Sequence, residues 1–258
     1  MKKFNFNIAI VGLGNIGSNL YKHLILNRKS IYKKTNSHFY LKYVSSKNKS
    51  KKRKIKIPKN QWLKNYSEAY TKKDIDIVIE LIGGSEGAAK NLVFNALKNK
   101  KHVVTANKAL ISKYGDTLSK LAEKNNVNLE FEAAVAGGVP IIRTIKEGLI
   151  TNKISKIYGI LNGTSNFILS VMSKTNLNLK DVIKKAQSLG YAESNPKSDL
   201  DGTDAESKIQ ILSSLAFQSF INRSKINVEG IEKIDQVDIK NAKILGFKVK
   251  HLAIAEIK

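Results

Sequence analysis

The chain has 258 residues, 42% of them hydrophobic, a formal net charge of +24 and no cysteine. Its length supports one large domain or two smaller ones, and the lack of cysteine excludes a disulfide framework, a thiolate metal site and a thiol nucleophile. The charge invites a nucleic-acid role, yet only four of the 45 basic residues are arginine (Arg28, Arg53, Arg143, Arg223) and the lysines are spread along the chain, so no nucleic-acid partner is expected.

The opening MKKFNFNIAIVGLGNIG puts basic residues before apolar ones, but Asn5, Asn7, Gly12 and Gly14 break the run and no small-residue cleavage pattern follows, unlike a signal peptide. No apolar stretch approaches the ~18 residues that a bilayer crossing needs. A cytoplasmic protein without a membrane partner is expected. Residues 4–11 read as a strand, and GLGNIGSNLYKHLIL as a turn into a helix with Ile16, Leu20 and Leu24 at helical spacing. Strands are predicted at 38–46, 74–84 and 101–106, helices at 86–100 and 112–126, and a strand and loop at 127–138. This alternation predicts an α/β fold whose first domain, residues 1–138, is a Rossmann-type doubly wound parallel sheet. From about residue 150 the rhythm changes. A strand at 155–166 runs into a loop, helices follow at 164–174, 179–189, 203–220 and 235–246, and a strand covers 247–258. Residues 139–258 therefore read as a second, α+β domain.

GLGNIG matches G-x-G-x-x-G at Gly12, Gly14 and Gly17, after a predicted strand and at the start of a helix. In that setting the motif is a dinucleotide fingerprint. Gly12 permits the tight turn, Gly14 lets a pyrophosphate approach the backbone, and Gly17 lets helix pack on strand. Leu13, Asn15 and Ile16 complete the cofactor loop. NAD binding usually employs an acid at the end of the second strand for the ribose 2′-hydroxyl. Here that strand ends VSSKNKSKKRK, without an acid. Hydroxyls and cations suit a 2′-phosphate, so NADP(H) is expected over NAD(H), although most of those lysines read better as a solvated loop.

Residues 190–208, GYAESNPKSDLDGTDAESK, hold five of the chain's 21 acids: Glu193, Asp199, Asp201, Asp204 and Glu206. Such a segment is either a solvated acidic loop or a holder of something cationic. Asp204 and Lys208 are four apart on a predicted helix and share one face. Thr203-x-x-Glu206 reads as a capping box, with Asp201 in the turn before it. Gly190 reads as a helix C-cap. The four histidines (His23, His38, His102, His251) show no metal spacing.

Five segments occur in a fixed order: GLGNIG, TANKALI (105–111), FEAAVAGGVPII (131–142), GILNGTSNFIL (159–169) and GYAES…SDLDGTDAESKIQIL (190–212). Together they resemble the homoserine dehydrogenase family over nearly all of residues 4–258. The resemblance implies reduction of L-aspartate 4-semialdehyde to L-homoserine by NAD(P)H, on the route to threonine, methionine and isoleucine. The substrate's ammonium group wants carboxylates, and its aldehyde oxygen wants a proton donor as hydride arrives. By resemblance, Lys208 matches the proton donor and Asp204 the carboxylate that orients it. Glu193 and Asp199 match residues that bind the substrate amino group or hydroxyl, with Tyr191 and Thr164 beside them. Lys108 matches an active-site lysine between cofactor and substrate, and Ile82, Gly83 and Ala106 approach the nicotinamide ribose through backbone. Glu132, Val135, Gly137 and Val139 match a monovalent-cation site, in which a glutamate and backbone carbonyls hold sodium. The resemblance also implies that the second domain binds substrate and that a homodimer forms through its sheet. Family chains usually continue with a glycine-rich segment that returns over the cofactor, so the alternative expectation is a truncated, catalytically impaired NADP-binding fragment.

Overall fold

The computed structural model describes residues 4–257; residues 1–3 and 258 lie outside the description. The chain divides into two compact units that meet between Ile141 and Ile142.

The first unit is built on β1 (Phe4–Val11), α1 (Asn15–Leu26), α2 (Arg28–Thr35), β2 (Ser37–Ser45), a short α3 (Glu68–Thr71), β3 (Ile77–Glu80), α4 (Ala88–Lys98), β4 (His102–Thr105), α5 (Lys108–Lys124) and β5 (Leu129–Glu130). Its five strands are all parallel, in the order β2-β1-β3-β4-β5. Ile8, Ala9, Ile10 and Val11 at the end of β1 are all buried, as a central strand covered on both faces requires. Because β2 and β3 flank β1, the direction of winding reverses there. Right-handed crossovers then place α1 on one face and α4 and α5 on the other. The gap between the carboxyl ends of β1 and β3 is the switch point at which such sheets bind ligands. Ile8, Ile10, Leu13, Tyr21, Val44 and Ile79 form one core cluster beneath it.

Two glycines close that switch point. Gly12 has φ +108°, and a Cβ on it would meet the Leu81 carbonyl oxygen at 2.3 Å. A Cβ on Gly17 would lie 2.0 Å from the Gly12 carbonyl oxygen. Around Gly14 there is open space. The sequence roles of the three positions thus separate physically: two allow backbones to touch, and one leaves room above the loop.

The second unit contains α6 (Ile141–Arg143) at the boundary, a π-turn at Thr144–Gly148, β6 (Lys156–Gly159), α7 (Gly163–Lys174), α8 (Leu179–Ser188), α9 (Lys197–Leu200), α10 (Thr203–Ala216), α11 (Gln236–Ile244) and β7 (Ala253–Glu256). β6 and β7 form an antiparallel pair. The core joins Ile168, Leu169, Met172, Val182, Ala186, Ile231 and Ile239 from α7, α8, α11 and the loop before α11. Asparagine side chains start α7 and α8: Asn162 accepts from Ser165 N at 2.7 Å, and Asn178 from Asp181 N at 3.0 Å. Asn107 does the same for α5, accepting from Leu110 N at 3.1 Å.

Several expectations need correction. Helix α5 begins at Lys108, four residues before the predicted 112, because Asn107 caps it. Of the predicted strand and loop at 127–138, the strand pairs only at Leu129–Glu130. Helix α10 stops at Ala216 rather than 220, and Gln218 beyond it is left-handed. The predicted strand at 247–258 forms a ladder only at Ala253–Glu256, because the partner β6 is four residues long; its last residue, Lys258, lies outside the described residues. Thr203 does not make a capping box: it is the first residue of α10, Gly202 is the N-cap, and Glu206 pairs with Arg223 instead. Helix α2 was not predicted, because RKSIYKKT buries no side chain and offers no apolar stripe to detect.

The glycine geometry yields a test. Gly17→Ala should destabilise the first unit by about 1–3 kcal/mol through overpacking, whereas Gly14→Ala should change stability by less than about 0.5 kcal/mol. Urea unfolding of both variants measures the contrast.

Candidate active site

The glycine loop is braced from the side of β2. Gly12 N donates to Ser45 O at 2.9 Å. Arg53, from the basic run, folds back over the end of β2: its Nε donates to Leu13 O at 3.1 Å and its Nη2 to the Ser46 hydroxyl at 2.8 Å. The guanidinium lies 5.6 Å from the Trp62 ring centroid, a cation–π position. One residue of the run is therefore ordered against the loop, which sequence reading did not single out. Arginine in a run of lysines was the available signal, because only its fork reaches several acceptors at once.

Across the switch point, Ile82 and Gly83 form the turn after β3, with Gly83 at φ +89° and open space above its Cα. Ala106 and Lys108 follow β4. Lys108 is half-buried in the first turn of α5 and not in a loop. These predicted cofactor positions all lie at the carboxyl edge of one sheet.

In the second unit, a cleft of about 590 Å³ opens between α7, α10 and the 190–199 segment. It is lined by Thr164, Tyr191, Asp199, Asp204 and Lys208 among others. Lys208 Nζ makes an ion pair with Asp204 Oδ2 at 2.7 Å and donates to Leu161 O at 2.7 Å. Asn162 joins the two carboxylates: its Nδ2 donates to Asp199 Oδ1 at 2.6 Å and to Asp204 Oδ2 at 2.8 Å. At 3% exposure Asn162 is nearly inaccessible, and its side chain also caps α7. Sequence reading missed it, although it stands in the NGT of GILNGTSN.

Tyr191 is exposed and stacks on Phe167 with centroids 4.3 Å apart, and its carbonyl accepts from the Thr164 hydroxyl at 2.8 Å. Glu193 is not brought into the cleft wall; it is exposed on the same loop, where its carbonyl accepts from Gln187 Nε2 at 3.1 Å. Gly190 has φ +78°, as a helix-ending residue does. Asp201 accepts from the Thr203 amide and hydroxyl, and these bonds hold its carboxyl below the ordinary aspartate range. It serves the turn before α10, as expected.

Glu132 opens a single 3-10 turn, and the loop after it is compact: Val139 N donates to Ala136 O at 2.8 Å, with positive φ at Ala136 and Gly138. Val135 is buried, whereas Gly137 and Val139 are exposed. Among the described residues no group of three His, Asp or Glu converges, so a cation here would rely on one carboxylate and backbone carbonyls. An all-oxygen donor set suits a hard cation.

Two family models match in succession: "Homoserine dehydrogenase, NAD binding domain" over residues 12–132 and "Homoserine dehydrogenase" over 140–258. A homoserine dehydrogenase of Neisseria gonorrhoeae is 45% identical over 248 residues, 96% of this chain and 57% of that protein. The crystal structure of a homoserine dehydrogenase from Thiobacillus denitrificans superposes with a TM-score of 0.90 at 38% identity, over 98% of this chain and 58% of that one. A hyperthermophilic archaeal homoserine dehydrogenase mutant, solved in complex with NADPH, gives 0.81 at 25% identity, over 98% of this chain and 79% of its own. The chain thus spans a little over half the length of the first two relatives. The glycine loop at the switch point, the lysine held by the Asp204 carboxylate and the Leu161 carbonyl and these matches across both units lead to one conclusion: the chain belongs to the homoserine dehydrogenase family.

Proposed function

We propose that this chain serves the reduction of L-aspartate 4-semialdehyde to L-homoserine by NADPH, in the biosynthesis of threonine, methionine and isoleucine. The observation that carries the reading is Lys208, fixed by Asp204 and by the Leu161 carbonyl in a cleft that also presents Asp199.

The first unit would hold the cofactor. The fit rests on Gly14, where a phosphate can approach the backbone, and on the start of the twelve-residue helix α1, whose first amides favour an anion. Ser46 and Arg53 at the end of β2 support a 2′-phosphate and hence NADP(H) over NAD(H). Ile82, Gly83 and Ala106 would receive the nicotinamide ribose, with Lys108 beside it. When bound, the reduced cofactor would supply the hydride for the aldehyde carbon.

In the second unit, Asp199, with Glu193 from the adjoining loop, would hold the substrate ammonium, and Tyr191 and Thr164 would shape that end of the cleft. Lys208 would give its proton to the aldehyde oxygen as negative charge develops there. Asp204 would keep the ammonium aimed. Asn162 would hold Asp199 and Asp204 at fixed separation, so the ammonium-binding and proton-donating ends of the cleft keep register. Glu132 with the carbonyls of Val135, Gly137 and Val139 would bind sodium. Tyr158 and Ile254 are cross-strand partners on β6 and β7, 71% and 57% exposed. Their shared apolar face supports a homodimer through this sheet. Among the described residues no helix is long and apolar enough to cross a membrane, and a cytoplasmic location accords with the reaction.

Absorbance at the nicotinamide band tests the reading directly. The chain mixed with aspartate semialdehyde and NADPH should oxidise the cofactor, and Lys208→Ala should slow turnover by about 10²–10⁴-fold, the usual contribution of a positioned acid, with NADPH affinity unchanged. NADPH binding without turnover in the wild type would leave only the impaired cofactor-binding fragment. Arg53→Ala should weaken NADPH by roughly tenfold, the worth of one charged hydrogen bond, while NADH affinity stays within about twofold. Equal losses for both would make Arg53 a brace of the loop and remove it from cofactor choice.

A further inference from the structure

Glu80 ends β3, its side chain has no exposed surface, and none of the roles assigned above uses it. Its Oε1 accepts from Ile82 N at 2.7 Å and from Gly83 N at 3.0 Å. Its Oε2 accepts from the Thr105 hydroxyl at 2.5 Å, at the end of the neighbouring strand β4. Thr105 Oγ1 in turn accepts from Asn107 N at 3.0 Å. The Asn107 side chain then works in two directions: Nδ2 donates to Gly84 O at 2.7 Å, and Oδ1 caps α5. The circuit leaves the 82–84 turn through Glu80, crosses to β4 and returns to the same turn through Asn107. Lys108, the first residue of α5, is fixed at its far side.

A connection between β3 and α4 does not need this. Nothing crowds the Cα positions of Gly83 and Gly84, so water could satisfy amides in an open turn. A buried carboxylate is costly unless fully bonded, and apolar replacements of buried ionic groups are often neutral or stabilising. Its benefit is geometric: two strand ends and one helix start are set by the same group. We infer that Glu80, acting through Thr105 and Asn107, is a positioning residue that sets the 82–84 turn and Lys108 together to present the nicotinamide half of the cofactor. The inference rests on the cofactor reading proposed above.

The two halves of the cofactor separate a positioning role from a merely structural one. Calorimetric titration of the whole chain with NADPH and with 2′,5′-ADP, which lacks the nicotinamide and its ribose, would be run on wild type, Glu80→Ala, Glu80→Gln and Thr105→Val. Glu80→Ala should weaken NADPH by roughly tenfold or more and leave 2′,5′-ADP within about twofold. Glu80→Gln keeps a carbonyl for the two amides and should bring NADPH back to within about threefold of wild type. If Glu80→Ala does not fold, the isosteric Thr105→Val decides, with selective loss of NADPH as the expected result. Parallel loss of both ligands in the folded variants, or NADPH affinity like that of wild type in both Glu80→Ala and Thr105→Val, overturns the inference. A wild type that binds neither ligand removes the cofactor reading itself, and the inference with it.

Discussion

The first unit depends on backbones that meet with nothing between them. Where β1 and β3 end, Gly12 abuts the Leu81 carbonyl and Gly17 abuts Gly12. A side chain at either position would separate helix α1 from the sheet. The helix start would then no longer face the switch point, and the loop would lose its open side at Gly14. Neighbouring features are fitted to this contact. The Ser45 carbonyl receives Gly12 N, Arg53 clasps Leu13, and Leu81 continues the ladder from β3 by donating to Val11 O at 2.8 Å. Close packing transmits displacement, because interiors are dense and hardly compressible. An error at Gly17 would therefore reach β2 on one side and the 82–84 turn on the other.

The second unit solves a different problem, that of holding charge in a half-buried place. Asp199 and Asp204 are like charges brought near one another by the two amide hydrogens of Asn162. Lys208 neutralises one of them, and the Leu161 carbonyl takes a second of its donors. Each element supplies what the others lack. The NGT turn gives a helix cap and a bridging amide from one residue, and the start of α10 gives an acid and a base one turn apart. A bonded network of this kind fixes geometry more than it adds stability. Under the proposed reading, that suits a cleft that holds a small polar substrate in one orientation.

Much of this was legible in the sequence, for identifiable reasons. Alternating apolar strands and helices gave the doubly wound sheet because its central strands are buried on both faces and read as unbroken apolar runs. The glycine loop was legible because Gly12 and Gly17 answer to backbone contacts that no side chain tolerates. Asp204 and Lys208 were legible as a one-turn pair. Asn107 and Asn162 were not: asparagine is so common in this chain that a capping asparagine does not stand out from its neighbours. Glu80 was hidden in DIDIVIELIGG, where it follows Asp74 and Asp76 among isoleucines and valine and reads as a strand end. Its partners, Thr105 and Asn107, lie 25 residues or more further on, and only the β3–β4 pairing brings them together. The capping box failed for the opposite reason. Its spacing was right, but Gly202 took the cap at φ +88° and Arg223 claimed Glu206.

The acids of the second unit sit in a chain of net charge +24, and the two fields act over different ranges. Net positive charge raises the local concentration of an anionic ligand and its association rate, so it favours a dinucleotide phosphate, and more so one with an additional 2′-phosphate. It gives no such help to a zwitterion such as an amino-acid aldehyde, whose charges cancel at a distance. Recognition of that ligand has to come from contacts shorter than the screening length of about 8–10 Å. Carboxylates spread over the surface could not supply it. Two of the five acids of residues 190–208, Asp199 and Asp204, line the cleft and are tied through Asn162 at 2.6 and 2.8 Å, so a cationic group entering it would meet carboxylates at contact range. Under the proposed reading, the field of this strongly basic chain would draw in the cofactor, and the carboxylates of the cleft would hold the substrate's ammonium group at contact range.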